Sequence, residues 1–453
     1  MSTHRMRRCM VATAAVTAAG QWRSVRQGRS CPVPSATPCL AGWTRSPCRP
    51  TRLTLPTRRL RLRRASAREW AARAASPRRP PRPLLPAHMR GRSWIAPPPG
   101  ALPADPPEPN YAPKSVVHTY DVCSRGVAAA VRLPPAGHLF LAGGLDGGIS
   151  VWEAAGARRR VQSYAGHTAG VRGLAVEADG GGRRFLSVAF DKGVRLWDTE
   201  TGRVVGSFGV GGPGGGGGGG GPGGSGGGRA VGITCVVWGQ GGGGVAAAAG
   251  GGTAGTPAPS NGEFLVGTAD GRVVQLDARA GDGVVQTYAG HMGPVNALAL
   301  IDGGRRFVSA ADDNSLRVWE WGIPVVIRYV ADPSAAAVGA LALHPGGKWV
   351  AASRADNQVM VYGAKDVFKV RKGKVFRGHM SAGYQVGLGF SPDGRWLASG
   401  DGVGRVWVWD WKSGRAVRSG VGHKGVCAGV AWGAGGGSDL LSWGWDGCVK
   451  AWA

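Results

Sequence analysis

Arg305-Arg306-Phe307-Val308-Ser309-Ala310-Ala311-Asp312-Asp313-Asn314-Ser315-Leu316-Arg317-Val318-Trp319-Glu320 reads as two short β-runs around an acidic turn. Phe307, Val308, Leu316, Val318 and Trp319 include the β-branched and aromatic types that strands favour, and Asp312-Asp313-Asn314 is a turn cluster. Upstream stands Gly290-His291, preceded by another β-type run, Val285-Gln286-Thr287-Tyr288. This order of aromatic-ended run, Gly-His, strand, acidic turn and Trp-ended strand recurs, in whole or part, along most of the chain.

Trp152, Trp197, Leu276, Trp319, Tyr362, Trp409 and Trp452 close successive copies, at spacings of 45, 79, 43, 43, 47 and 43 residues. The long spacing holds Gly209–Gly228, with 16 Gly in 20 residues, and a second Gly/Ala/Thr/Pro insertion, Gly239–Gly262. A repeat of about 40–45 residues ending in Trp-Asp marks a four-stranded WD40 blade. Seven copies predict an all-β, seven-bladed WD40 β-propeller over residues 115–453. Val116-Val117-His118-Thr119-Tyr120 has the form of an outer strand but precedes the first Trp copy. The seventh blade is therefore expected to borrow it, a latch that closes the ring and leaves only short edges. The two insertions are expected to leave from opposite faces, and neither has the apolar content of a domain.

Six residues before the closing position stands Asp146, Asp191, Asp270, Asp313, Asp356 or Asp446; only the sixth copy differs, with Val403 there and Asp401 two residues earlier. Gly-His pairs contribute His167, His291, His379 and His423, and Ser187, Ser309 and Ser442 precede their acids by four. Three complete tetrads result: His167/Ser187/Asp191/Trp197, His291/Ser309/Asp313/Trp319 and His423/Ser442/Asp446/Trp452. A turn carboxylate can accept from imidazole, and a Ser hydroxyl can bridge imidazole to indole, so each set reads as a buried structural network. A Ser-His-Asp hydrolase triad uses the same residue types, but these recur at blade period without a Gly-x-Ser-x-Gly elbow. Cys123 stands in the His position of the first copy, so no tetrad is expected there. Asp401 lies off the standard spacing, and its replacement is expected to matter less than that of Asp191. There is no Walker loop, His-Glu-x-x-His or EF-hand pattern, so neither cofactor nor metal is expected.

The chain has 453 residues and a formal charge of +28. Residues 1–110 hold 21 Arg and no Lys against Glu69, Asp105 and Glu108, a net +18, which leaves +10 for the remainder. Gly at 81 residues lacks the Gly-X-Y period of collagen. Residues 1–90 read as a disordered Arg/Pro/Ala-rich arm, with an organelle transit peptide as the alternative, and residues 91–114 as a pre-propeller segment. Eight Cys without a C-x-x-C pair fit a reducing compartment. No run of 18 apolar residues marks a membrane helix. Lys365, Lys369, Arg371, Lys372, Lys374 and Arg377 cluster around the sixth copy's outer strand, where they could either meet a polyanion or deter edge pairing.

Several runs go beyond a generic WD40 pattern. They include Asp312-Asp313-Asn314-Ser315 through Trp319-Glu320-Trp321 with Ile323-Pro324, Gly378-His379-Met380 with Ala382-Gly383-Tyr384, Trp409-Asp410-Trp411-Lys412, Gly444-Trp445-Asp446-Gly447, and Gly91-Arg92-Ser93-Trp94-Ile95-Ala96-Pro97-Pro98 ahead of the ring. In these, residues 91–453 resemble the pre-mRNA-processing factor seventeen family, WD40 second-step splicing factors. The chain departs from that pattern at Cys123, at Leu276, in its glycine insertions and throughout residues 1–90. The resemblance implies a non-catalytic nuclear docking platform in the spliceosome, acting around exon ligation. Its implied partners are spliceosomal proteins and the small nuclear ribonucleoproteins of the U2, U5 and U6 environment. It would be monomeric within a large complex, with non-sequence-specific RNA contact and no membrane. An alternative is a substrate receptor of a cullin-type ubiquitin ligase, because Leu276-Asp277-Ala278-Arg279 with Asp270 partly resembles the Trp-Asp-x-Arg box of such propellers.

Overall fold

The computed structural model describes residues 93–96 and 112–453, apart from 135, 155, 178–180, 212–229, 240–261, 281–282, 332–335, 366, 382 and 434–438. The arm at 1–90 and most of both glycine-rich insertions thus lie outside the described residues. The rest forms 28 strands in seven four-stranded antiparallel sheets. Blades one to six each take four consecutive strands, spanning residues 127–164, 171–209, 233–289, 295–331, 338–377 and 388–421. Blade seven takes Cys427–Trp432, Leu440–Gly444 and Cys448–Trp452, and its fourth strand is Val116–Asp121. The latch expected from residues 115–121 is therefore present, with Tyr120 opposite Val449 and Asp121 opposite Cys448.

The outer strand that precedes each Gly-His position pairs with the blade before it. Val370–Arg377 accordingly closes blade five, paired with Gln358–Gly363, which corrects the assignment of its lysines and arginines to blade six. A sequence repeat and a structural blade are offset by one strand.

Aromatic side chains on outer strands join neighbouring blades. Tyr164 of blade one meets Phe185 and Trp197 of blade two edge-on, with ring centroids 5.0 and 5.7 Å away. Tyr288 of blade three repeats this on Phe307 and Trp319 of blade four at 4.9 and 5.5 Å. Tyr120 does the same on Phe140 and Trp152, which joins blade seven to blade one at 5.0 and 5.8 Å. Such edge-to-face contacts add specific geometry to the burial of large apolar surface. The doubled Trp endings serve the same joints. Trp321 is fully buried and donates its indole N–H to Glu263 of blade three at 2.8 Å, while Trp411 of blade six stacks on Phe376 of blade five at 5.6 Å.

Trp94 and Ile95 are buried in the cluster formed by Leu133, Leu139 and Phe185. Ser93 donates to Glu200 in the turn after Trp197. The segment before the ring is thereby fixed on the side of blades one and two opposite the acidic turns.

Candidate functional site

In blade two, His167 Nδ1 lies 2.8 Å from Asp191 and Nε2 lies 2.6 Å from Ser187 Oγ, which also accepts the Trp197 indole N–H at 2.8 Å. Blade four repeats the network, with His291 Nδ1 3.0 Å from Asp313, Nε2 2.7 Å from Ser309, and Trp319 2.8 Å from the same hydroxyl. Blade seven does so with His423 at 2.9 Å from Asp446 and 2.8 Å from Ser442, and with Trp452 donating at 2.8 Å. The pattern fits a neutral imidazole that donates from Nδ1 to the acid and accepts from Ser at Nε2. Each acid also accepts two backbone N–H groups, one from the residue after its His and one from the turn: Thr168 and Gly193, Met292 and Ser315, Lys424 and Cys448. Because each His lies on the connection from the preceding blade, the network ties an incoming loop to two strands as well as binding strands together.

Close backbone approach defines these turns. Gly447 and Gly404 have φ of +83° and +86°, and an added Cβ would stand 2.0 Å from Cys123 O and 2.2 Å from His423 O respectively. Only glycine meets both demands.

Blade six departs from the expected arrangement. Asp401 is buried and accepts from Met380 N at 3.2 Å and Val403 N at 2.8 Å, the same two backbone bonds as the tetrad acids. Its third partner is the Trp407 indole at 2.7 Å. His379 has no hydrogen-bond partner at either nitrogen among the described residues and packs edge-on against Trp409. Asp401 thus fills the acid's place from two residues earlier in the chain, which removes the ground for expecting its replacement to matter less than that of Asp191. In blade one, Cys123 Sγ donates to Gly126 O and Trp152 donates to Ser150, so there is no imidazole network.

Burial is the main influence on the three tetrad imidazoles and holds each pKa below the ordinary value, although the neighbouring carboxylate opposes it. Burial raises the pKa of Asp191, Asp313 and Asp446, but their hydrogen bonds outweigh it and leave them below the usual carboxylate range. The unfolded imidazoles take up protons near pH 6.5, whereas the folded ones resist doing so. Their stabilising contribution is therefore complete above about pH 6.5 and is lost as pH falls through that value toward the folded pKa. The carboxylates act in the same sense at lower pH, below about 4. The melting temperature, followed by circular dichroism, is expected to be level from pH 8 to 7 and to fall steadily from about 6.5 to 5. A level profile down to pH 5 would contradict this protonation assignment.

The surfaces are of two kinds. On the face of the acidic turns, Tyr384 and Trp445 form an edge-on pair at 5.1 Å while 41% and 47% exposed, beside half-exposed Met380 and Val403. The loop that carries Tyr384 also reaches across the ring, since Gln385 donates to Asn296 of blade four at 2.7 Å. Both aromatics stand in runs that are not generic to the repeat, the one sign of them in the sequence. On the outer flank, the strand Val370–Arg377 carries Arg371, Lys372, Lys374 and Arg377, and Lys365 and Lys369 precede it; five of these six predicted cations are exposed and Lys374 is half-buried. Arg371 lies over the Trp349 ring at 4.9 Å, and Lys374 Nζ over Trp411 at 3.8 Å. Arg279 pairs with Asp277 at 2.9 Å, and Asp270 pairs with Arg272 at the other end of that strand. Among the described residues no His, Cys, Asp and Glu group could hold a metal, and no helix is long and apolar enough to cross a membrane.

Seven four-stranded blades in a closed ring, three of them tied by buried His-Ser-Asp-Trp tetrads, define a WD40-repeat propeller protein. The WD domain, G-beta repeat, matches residues 158–198, 283–320, 328–363 and 371–410. The chain is 37% identical over 347 residues to Pre-mRNA-processing factor 17 of Homo sapiens, covering 77% of this chain and 53% of that relative. The Mus musculus protein of the same name gives the same coverage and identity. That of Saccharomyces cerevisiae is 30% identical over 317 residues, or 68% of this chain and 60% of the relative. The chain thus spans little more than half the length of the curated relatives it matches. Its propeller belongs with the pre-mRNA-processing factor 17 family.

Proposed function

We propose that this chain is a non-catalytic, nuclear component of the spliceosome that acts as a WD40 docking platform in pre-mRNA splicing, around the second step. The observation that carries this reading is the 37% identity to a pre-mRNA-processing factor over 77% of the chain. The buried networks support a scaffold rather than a catalyst. Ser187, Ser309 and Ser442 are wholly buried, and each hydroxyl is already engaged by both imidazole and indole, so none can reach a substrate. The partners proposed are spliceosomal proteins and the U2, U5 and U6 ribonucleoproteins, with the apolar Tyr384/Trp445 face suited to protein anchors. Affinity purification of the full chain from nuclear extract, with RNA sequencing and mass spectrometry, tests this. Recovery of U2, U5 and U6 RNAs with second-step proteins is expected. Recovery of a cullin adaptor without those RNAs would replace splicing with the ligase reading.

A further inference from the structure

We propose that the flank where blades five and six meet binds single-stranded RNA by its phosphates, through Lys369, Arg371, Lys372 and Lys374 of blade five continued by Arg395 and Lys412 of blade six. This inference rests on the splicing reading and names the ligand of one surface within it.

The surface is continuous across two blades. Trp411, over which Lys374 sits, donates its backbone N–H to Arg395 O at 2.8 Å and is followed directly by Lys412. His344 of blade five lies 3.1 Å from Gly394 O of blade six and packs on Trp411 and Phe390. The two blades therefore present their cations from one rigid seam. The Trp349 and Trp411 rings hold Arg371 and Lys374 in place, which lowers the ordering cost of a contact made by otherwise flexible side chains.

Cations outnumber acids on this flank, where Asp410 is the acid that acts on Lys374. The ion pairs described for blades five to seven join Arg354 to Asp356, His423 to Asp446 and Asp439 to Arg132 of blade one; none engages Arg371, Lys372 or Lys374. Burial first and then the nearby Arg371 depress the pKa of Lys374 against the opposing pull of Asp410, and an external anion would add to that pull. Val370–Arg377 is also an edge, paired only with Gln358–Gly363. Its outward backbone N–H groups can add phosphate contacts to those of the side chains.

RNA fits this flank better than an acidic protein does. Protein interfaces draw their energy from a few buried aromatic or aliphatic anchors, and among the described residues of 365–377 the exposed large apolar side chain is Val367 alone. Anchors of that kind sit instead at Tyr384 and Trp445. Charge without anchors is the signature of sequence-independent phosphate binding. Because each tryptophan already carries a cation on one face, base stacking is restricted and sequence preference should be weak.

The test measures binding of the full chain to a fluorescent oligouridylate by anisotropy across a salt series. Lys369→Gln, Lys372→Gln and Lys412→Gln are combined, because all three side chains are exposed. A control combines Arg158→Gln, Arg160→Gln and Arg203→Gln in blades one and two, removing the same charge elsewhere. Binding by the flank variant is expected to weaken about tenfold or more, and its slope of log affinity against log salt to fall by about two; the control should shift neither to that extent. Equal losses in both variants would overturn the site and leave general charge or the arm as the binder. A glutamate oligomer bound as tightly as the RNA, and lost equally in the flank variant, would assign the surface to an acidic protein. Recovery of spliceosomal RNAs by the unaltered chain reports separately on the splicing reading, which can stand if this site fails.

Discussion

Tyr120→Ala is expected to destabilise the propeller by about 3–5 kcal/mol, the range for deleting a large buried aromatic. Tyr120 is 1% exposed, its ring meets Phe140 and Trp152 edge-on, and its hydroxyl donates to Ala154 O at 3.0 Å. It shares a core with Leu441 and Val449 of blade seven and with Val127 and Phe140 of blade one. Removing the ring therefore opens a cavity between the first and last blades, beside the one strand pair within a blade that no covalent connection joins, so that closure depends on Val116–Asp121 pairing with Cys448–Trp452. Tyr164 has matching ring partners, but its strand follows directly on Ile149–Glu153, the strand it pairs with in its own blade. Chemical denaturation should show Tyr120→Ala losing at least as much as Tyr164→Ala, with faster proteolysis of the latch. Tyr120→Phe should lose only about 0.5–1.5 kcal/mol, one hydrogen bond. A loss below about 1 kcal/mol for Tyr120→Ala would mean that closure does not depend on this side chain.

The ring and its latch were legible because both are statements about order along a chain. Trp152, Trp197, Trp319, Trp409 and Trp452 mark a period, and the aromatic at Tyr120 matches those at Tyr164 and Tyr288. The tetrads were legible for a related reason, since hydrogen-bond chemistry restricts which residue types can occupy recurring positions. Side chains that meet across blades were not. Lys374 and Trp411 are far apart in sequence and touch only because an outer strand closes the preceding blade. The same offset moved the basic strand from blade six to blade five. Tyr384 and Trp445 likewise become one surface only when the loop before blade six folds over the turn of blade seven. The place of Asp401 is not legible either, because spacing counts residues, whereas the network depends on where a carboxylate arrives in space.

Asp401→Ala and Asp191→Ala are each expected to destabilise the protein by about 1–3 kcal/mol through buried partners left unsatisfied, with Asp401→Ala the larger loss. Asp191 accepts from an imidazole and the backbone N–H groups of Thr168 and Gly193. Its removal leaves His167 still bonded to Ser187, and part of the network survives. Asp401 instead serves Met380 N, Val403 N and the Trp407 indole, and His379 already lacks a hydrogen-bond partner beside it. No described side chain there stands ready to take over those donors. Asp401→Asn separates charge from hydrogen bonding: its amide oxygen can still accept from Trp407, while its NH2 group faces donors it cannot satisfy. It should therefore fall between wild type and Asp401→Ala in thermal and urea melts. If Asp401→Ala lost less than half as much as Asp191→Ala, the early acid would not be carrying blade six, and that blade's stability would have to come from its apolar packing around Leu397 and Trp409.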